Sequence, residues 1–144
     1  MAHTDKKWSK AQQDVASWLR GKGLTIKHTG EFGDFNLCTP KMTRIRVRWA
    51  AYKQIEYEQD PRGWKVSLTN NGTVNERNVD FYVLVLNSDP ALQELGIKKP
   101  IYVVLRSPVK RTVLTINIRH LLSGRWSTNF DNWQAIKEFD DAKN

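Results

Sequence analysis

The segment from Val79 to Leu86 limits what this chain can fold into more than any other part of the sequence. Apart from Asp80, its residues are apolar, and most of them are β-branched or aromatic. A strand with apolar side chains on both sides is stable when both of its faces are buried. We therefore predict that this segment is a central strand of a sheet that is covered on both faces.

Helical and strand patterns alternate around this segment. Apolar residues recur at helical spacing from Lys6 to Leu19, and Gly21 and Gly23 end that run. The length of 144 residues suffices for one hydrophobic core but not for two. We predict a single α/β domain over residues 1–144, with a central mixed β-sheet flanked by helices. The other predicted elements are strands at 24–28, 34–38, 43–51, 64–68, 101–105 and 113–118, helices at 88–96 and 133–139, and a loop or short helix at 52–63.

Charge narrows the class of partner. Twenty-three Lys and Arg residues against fifteen Asp and Glu residues leave a net charge of +8, so the field of the protein favours polyanions, with nucleic acid ahead of an anionic membrane. No apolar run approaches the roughly 20 residues of a membrane-spanning helix, and the N-terminus does not resemble a signal peptide. The single cysteine, Cys38, allows no internal disulfide. We expect a soluble protein of the reducing cytoplasm.

A basic stripe lies in the strand predicted over residues 43–51. The alternation of side chains puts Arg44, Arg46 and Arg48 on one face. The other face is apolar, so we expect Trp49 in the core. Two interpretations of the stripe stay open. It is either a solvated sheet face or an anion-binding surface, since like charges at two-residue spacing repel unless an external anion or neighbouring carboxylates offset them.

Residues near the stripe extend the candidate binding surface. Lys41 and Lys53 could hold phosphates without reading base sequence, and Tyr52 could stack on a base. Asp34 is a candidate salt-bridge partner for the arginines. The histidines show no zinc-ligand spacing with Cys38, so we predict no resident metal.

A set of motif positions carries a resemblance to a known family. Gln12 lies in the first predicted helix, Asp34 begins the second predicted strand, and Arg46-Val47-Arg48 lies in the third. With this element order, and with the stretches at 78–85 and 129–133, most of the chain resembles the PD-(D/E)xK nuclease superfamily of restriction-type and resolvase-type enzymes. In that family the three positions carry Glu, Asp and Glu-x-Lys or Gln-x-Lys. The resemblance implies a restriction-endonuclease-like core and DNA as the partner.

The residues at these positions favour binding without cleavage. Clustered oxygen ligands hold Mg²⁺, and Asp34 alone does not supply such a cluster. Arg46 puts a fixed positive charge where the family has a metal ligand, and Arg48 cannot accept a proton because the pKa of arginine lies above about 12. Both guanidinium groups can clamp phosphate. We predict a nucleic-acid-binding protein without a cofactor, with DNA favoured over RNA and with degenerate motif positions at Gln12, Asp34, Arg46 and Arg48.

Two alternatives remain. Glu56 and Glu58 follow the arginine strand, and with Asp34 they could hold Mg²⁺ in an endonuclease with a rearranged active site. The chain could also be a module that binds an enzyme of nucleic-acid processing, where a basic surface suits an acidic partner. The sequence leaves base preference, strandedness and the formation of a homodimer open.

Overall fold

The computed structural model describes residues 10–29, 35–54, 62–68, 78–86, 101–107, 109, 113–118 and 128–143. Within these ranges the chain forms two helices, α1 (Lys10–Gly21) and α2 (Trp133–Asp141). In the same ranges, neither helix is long and apolar enough to cross a membrane. The strands are β1 (Lys27–His28), β2 (Leu37–Cys38), β3 (Arg44–Gln54), β4 (Arg62–Ser67), β5 (Phe81–Leu86), β6 (Ile101–Arg106) and β7 (Val113–Asn117).

β3 belongs to two sections of one sheet. Its first part pairs in parallel with β5, from Ile45 opposite Phe81 to Ala50 opposite Leu86. Antiparallel pairing adds β2 and β1 beside the start of β3, and β6 beside β5; these five strands are the main section. From Ala51 onward β3 pairs with β4, and β4 pairs with β7, both antiparallel; β3, β4 and β7 are the side section. The mixed sheet with its helices confirms the predicted α/β class.

β5 is buried on both faces, as its sequence predicts. Every residue of the strand is buried. Its odd-numbered side chains pack in a cluster with residues of α1 and α2, and its even-numbered ones pack in a second cluster with residues of β4 and β7. The helices therefore cover one face of the main section, and the side section covers the other. The odd-numbered residues are Phe81, Val83 and Val85, and the even-numbered ones are Tyr82, Leu84 and Leu86.

The end of α1 follows from its glycines. The N–H of Gly23 donates to the carbonyl of Arg20 (3.1 Å), and the N–H of Leu24 donates to the carbonyl of Leu19 (3.1 Å). This pair of bonds is the Schellman arrangement, which needs a left-handed residue after the helix. Gly23 provides it with a φ of 95°. Leu19 and Leu24 are both buried, so the residues on either side of the turn both belong to the hydrophobic core.

Several strand boundaries differ from the sequence expectation because pairing decides them. In the described residues, the strands predicted at 24–28 and 34–38 shrink to Lys27–His28 and Leu37–Cys38, where the two backbones pair with each other. β3 extends to Gln54, into the predicted loop or short helix, because its end pairs with β4. The helix predicted at 88–96 lies outside the described residues.

A buried carboxylate anchors the end of α2 to the turn between β2 and β3. Oδ1 of Asp140 accepts hydrogen bonds from the hydroxyl groups of Thr39 (2.6 Å) and Thr43 (2.7 Å). The Thr39 hydroxyl oxygen in turn accepts a bond from the backbone N–H of Thr43 (3.1 Å). Both threonines are fully buried. Their hydroxyl groups therefore depend on Asp140 for an acceptor.

Removing this acceptor should destabilise the fold. Asp140→Ala leaves two buried hydroxyl groups without it, and each such loss costs about 1–3 kcal/mol. We expect the free energy of unfolding in urea to fall by about 2–6 kcal/mol. Asp141→Ala is the matched control on the same helix, because Asp141 is 60% exposed in an ion pair with Lys137, and its loss should cost about 0.5 kcal/mol or less. Equal losses in the two variants would contradict the anchoring role.

Candidate nucleic-acid interface

The arginine stripe of β3 faces the side section. Arg46 and Arg48 pair with Tyr82 and Leu84 of β5, whose side chains belong to the cluster packed against β4 and β7. Arg46 is 7% exposed, and Arg48 is half-buried. The interpretation of the stripe as a solvated sheet face is therefore wrong for Arg46, whereas Arg48 keeps part of its side chain in solvent. Alternation shows which side chains share a face, but the segments that cover this face lie elsewhere in the sequence.

Arg46 and Arg48 are neighbouring cations, of which Arg46 is buried and Arg48 is half-buried. Residues two apart on a strand are separated by about 6.7 Å along the chain. Burial, and then the like charge of Arg46, lower the pKa of Arg48, while Tyr82 opposes this shift. Nε of Arg48 donates to the carbonyl of Ser67 at the end of β4 (2.9 Å), which orients the guanidinium. A bound anion would offset the repulsion between the two groups.

Arg44, the third member of the stripe, has a carboxylate partner within the fold. Its Nε lies 3.3 Å from Oδ2 of Asp80, and its backbone N–H donates to the same oxygen (2.8 Å). Asp80 directly precedes β5, so the pair joins the starts of β3 and β5. Asp80 was not predicted as a partner of Arg44. The feature that could have indicated it is that Asp80 is the one charged residue in the otherwise apolar segment 79–86.

Lys41 is also engaged within the protein. Its ammonium group donates to the carbonyls of Lys143 (3.1 Å) and Asp140 (3.5 Å) at the end of α2. Lys143 donates in the other direction, to the carbonyls of Met42 (2.9 Å) and Lys41 (3.4 Å). Cations are favoured at the negative end of a helix dipole, where carbonyls lack partners. Lys41 thus helps to dock α2, and its contact with nucleic acid stays a prediction.

Gln12 occupies the helix position where the resemblance expects Glu. It is 8% exposed, and its Oε1 accepts a hydrogen bond from Nε2 of His28 in β1 (2.8 Å). A neutral amide brings no negative charge for a cation. In the part of the chain that the structure describes, no group of three His, Cys, Asp or Glu residues is placed to hold a metal ion.

The three carboxylates that the endonuclease alternative requires lie outside the described residues; they are Asp34, Glu56 and Glu58. The rearranged active site therefore stays a prediction. The pairing of Asp34 with the arginines stays one as well. Of Lys53 the structure describes the backbone, which pairs with Gly63 of β4.

Two aromatic residues of β3 are exposed. Trp49 is 55% exposed, so the expectation of a core position is wrong. The cluster under α1 and α2 includes Val47, two residues earlier on the same face, but it does not extend to Trp49. Tyr52 is 39% exposed, and its ring meets Trp64 edge-on with 5.8 Å between the centroids. Tyr52 therefore keeps part of its ring accessible, as its predicted role in base stacking requires.

A comparison with solved structures finds a similar fold. The chain resembles a bacterial homing endonuclease, I-Ssp6803I, with a TM-score of 0.64 and 14% sequence identity over 98% of this chain and 97% of that one. No protein-family model and no curated protein matches the sequence. At this identity the likeness shows a shared fold and confirms the nuclease-like architecture. Membership of the PD-(D/E)xK superfamily stays a prediction.

A small anion should stabilise the protein through Arg46 and Arg48. Phosphate at ten times its Kd would contribute about 1.4 kcal/mol. We expect the thermal midpoint to rise when phosphate replaces chloride at constant ionic strength. Arg48→Met keeps an unbranched chain about as long as the aliphatic part of arginine but removes the guanidinium and its charge, and it should lose most of this rise. Phosphate also stabilises proteins in general, and this effect is the same in the wild-type protein and in Arg48→Met. An equal rise of the thermal midpoint in the two proteins would therefore contradict an anion site at Arg46 and Arg48.

Proposed function

We propose that this protein binds nucleic acid, with DNA as its main partner, and that it does not cleave the strand. The observation that carries the proposal is the placement of Arg46 and Arg48 on one face of β3, where Arg48 is only half-buried and still partly open to solvent. This pair belongs to a fold that is shared with a homing endonuclease, a protein that by its name acts on nucleic acid. The shared fold and the paired cations support the same class of partner.

A phosphodiester is the ligand that this pair of side chains suits. Guanidinium groups bind phosphate oxygens through parallel hydrogen bonds, and charge-assisted bonds gain strength where water is excluded. Dehydration and the charge of Arg46 disfavour the charged form of Arg48. A phosphate bound by both groups would offset the repulsion between their like charges. The net charge of +8 extends the attraction to the rest of a strand.

The chemistry of the same positions supports binding without cleavage. A metal-dependent nuclease holds its cation with carboxylates around the phosphate, whereas Arg46 adds a positive charge that repels a cation. Gln12 contributes a neutral amide whose oxygen is already engaged by His28. Arginine stays protonated at neutral pH, so Arg48 cannot take a proton from an attacking water molecule.

The salt dependence of binding tests the proposal. Labelled duplex DNA, single-stranded DNA and RNA are titrated with protein in Mg²⁺ at several salt concentrations. Arg46→Ala/Arg48→Ala should weaken duplex binding and reduce the slope of log K against log salt by about 1.8, since each phosphate contact contributes about 0.9. Arg48→Met alone should reduce it by about 0.9, and it serves if the double variant does not fold.

Charge-matched variants and product analysis complete the test. Lys10→Ala/Lys137→Ala removes the same charge from the two helices, where both lysines pair with helix carboxylates, and it should leave the slope nearly unchanged. Gels of the same samples should show intact DNA. Products that need Mg²⁺ and disappear in Asp34→Asn would overturn the non-catalytic part and favour the endonuclease. A folded protein that binds none of the three nucleic acids would overturn the proposal and favour a protein partner.

A further inference from the structure

The side section has an outer face that points away from the main section. Along β4 the inward side chains are buried in the cluster around β5, whereas Lys65 and Ser67 are exposed. Along β7 the same alternation leaves Val113 and Thr115 exposed. Backbone pairing sets Lys65 opposite Thr115 and Ser67 opposite Val113. These four side chains therefore share one face.

Trp49 lies at the border of this face. Ala51 of β3 pairs with Lys65, and Trp49, two residues before Ala51, lies on the same side of the strand. Ala50 lies on the other side and packs in the core with Trp64. Diagonal neighbours on adjacent strands are about 7–8 Å apart. One ligand can therefore reach both Trp49 and Lys65. The outer face consists of Trp49, Lys65, Ser67, Val113 and Thr115.

Trp49 differs from the other tryptophans whose side chains the structure describes. Trp18 stacks on Tyr102 with 4.5 Å between the ring centroids, Trp64 is fully buried, and Trp133 lies under a lysine ammonium at 5.4 Å. Trp49 is 55% exposed, and none of the described residues places a ring or a cation against it. Leaving so large an apolar ring in water forgoes the stabilisation that burial gives. The fold itself makes little use of this indole.

The charge of the outer face selects the kind of ligand. Lys65 is exposed and has no ion pair within the described residues. The strands that build the side section, β3, β4 and β7, contain no Asp or Glu. An exposed indole beside an exposed ammonium group suits a ligand that combines a flat ring with a negative charge. A nucleotide unit carries both.

We propose that the outer face holds an unpaired nucleotide, with Trp49 stacked on the base and Lys65 against an adjoining phosphate. This inference rests on the proposed function and adds a substrate class to it. Single-stranded or locally unpaired nucleic acid is the ligand, because a base within a duplex is already stacked and offers no face to an indole. Trp49 and the pair Arg46 and Arg48 lie on opposite faces of β3, so the two sites contact different nucleotides.

The test compares a single-stranded oligonucleotide with an abasic one of the same length. The two share their phosphates and differ in the bases. Trp49→Ala should weaken binding of the normal strand about 5- to 150-fold, the range for the loss of one stacked base, and leave the abasic strand and a duplex unchanged. Trp49→Phe retains a ring and should recover most of the affinity. Lys65→Ala should weaken both single strands equally and lower the salt slope by about 0.7.

Met42→Ala is the matched control, because Met42 is a large exposed apolar residue at 48% exposure in the turn before β3. It should leave binding of both strands unchanged, and thermal midpoints should show that every variant folds. If Trp49→Ala weakens the normal and abasic strands equally, or weakens neither, the stacking role is overturned. If Arg46→Ala/Arg48→Ala still weakens binding in that case, the proposed function stands without this inference. A wild-type protein that binds no strand would remove both.

Discussion

The parallel pairing of β3 with β5 holds a basic strand against an apolar one. Six residue pairs join them, from Ile45 with Phe81 to Ala50 with Leu86. Because β5 is buried on both faces, its neighbour lies in the interior of the sheet as well. The arginines of β3 that point toward the side section lose water as a result. The burial of Arg46 beside a half-buried Arg48 therefore follows from the packing around β5, and it sets two guanidinium groups side by side as a candidate anion site.

The length of β3 gives one strand two surfaces of different chemistry. Its pairing with β5 ends at Ala50, and its pairing with β4 begins at Ala51. Before this change of partner, the helices cover one face and the side section covers the other. Near this change of partner, α1 and α2 no longer cover their face of the strand, and Trp49 is exposed. Guanidinium groups suited to phosphate and an indole suited to a base thus lie within a few residues of each other.

Several of the described cations hold the fold together. Arg44 binds Asp80, and Lys41 binds carbonyls at the end of α2. The guanidinium of Arg106 lies over the ring of Phe139 at 4.4 Å and donates to the carbonyl of Asp80 (2.7 Å). A count of cations therefore overstates the surface available to nucleic acid. Cations whose charged groups are buried or bonded to other parts of the protein support the fold, and the remaining surface is what a ligand can contact.

The sequence by itself determined the features that depend on a few neighbouring residues. The apolar run predicted β5, the glycines predicted the end of α1, and the alternation of β3 showed which side chains share a face. Tertiary structure decided what covers each face: it buried Arg46 and exposed Trp49, against the sequence expectation for both. It also joined Lys41 to the end of α2, about 100 residues away in sequence. The reason is that backbone geometry fixes the periodicity of side chains over a few residues, whereas the burial of a face depends on segments that become neighbours only when the chain folds.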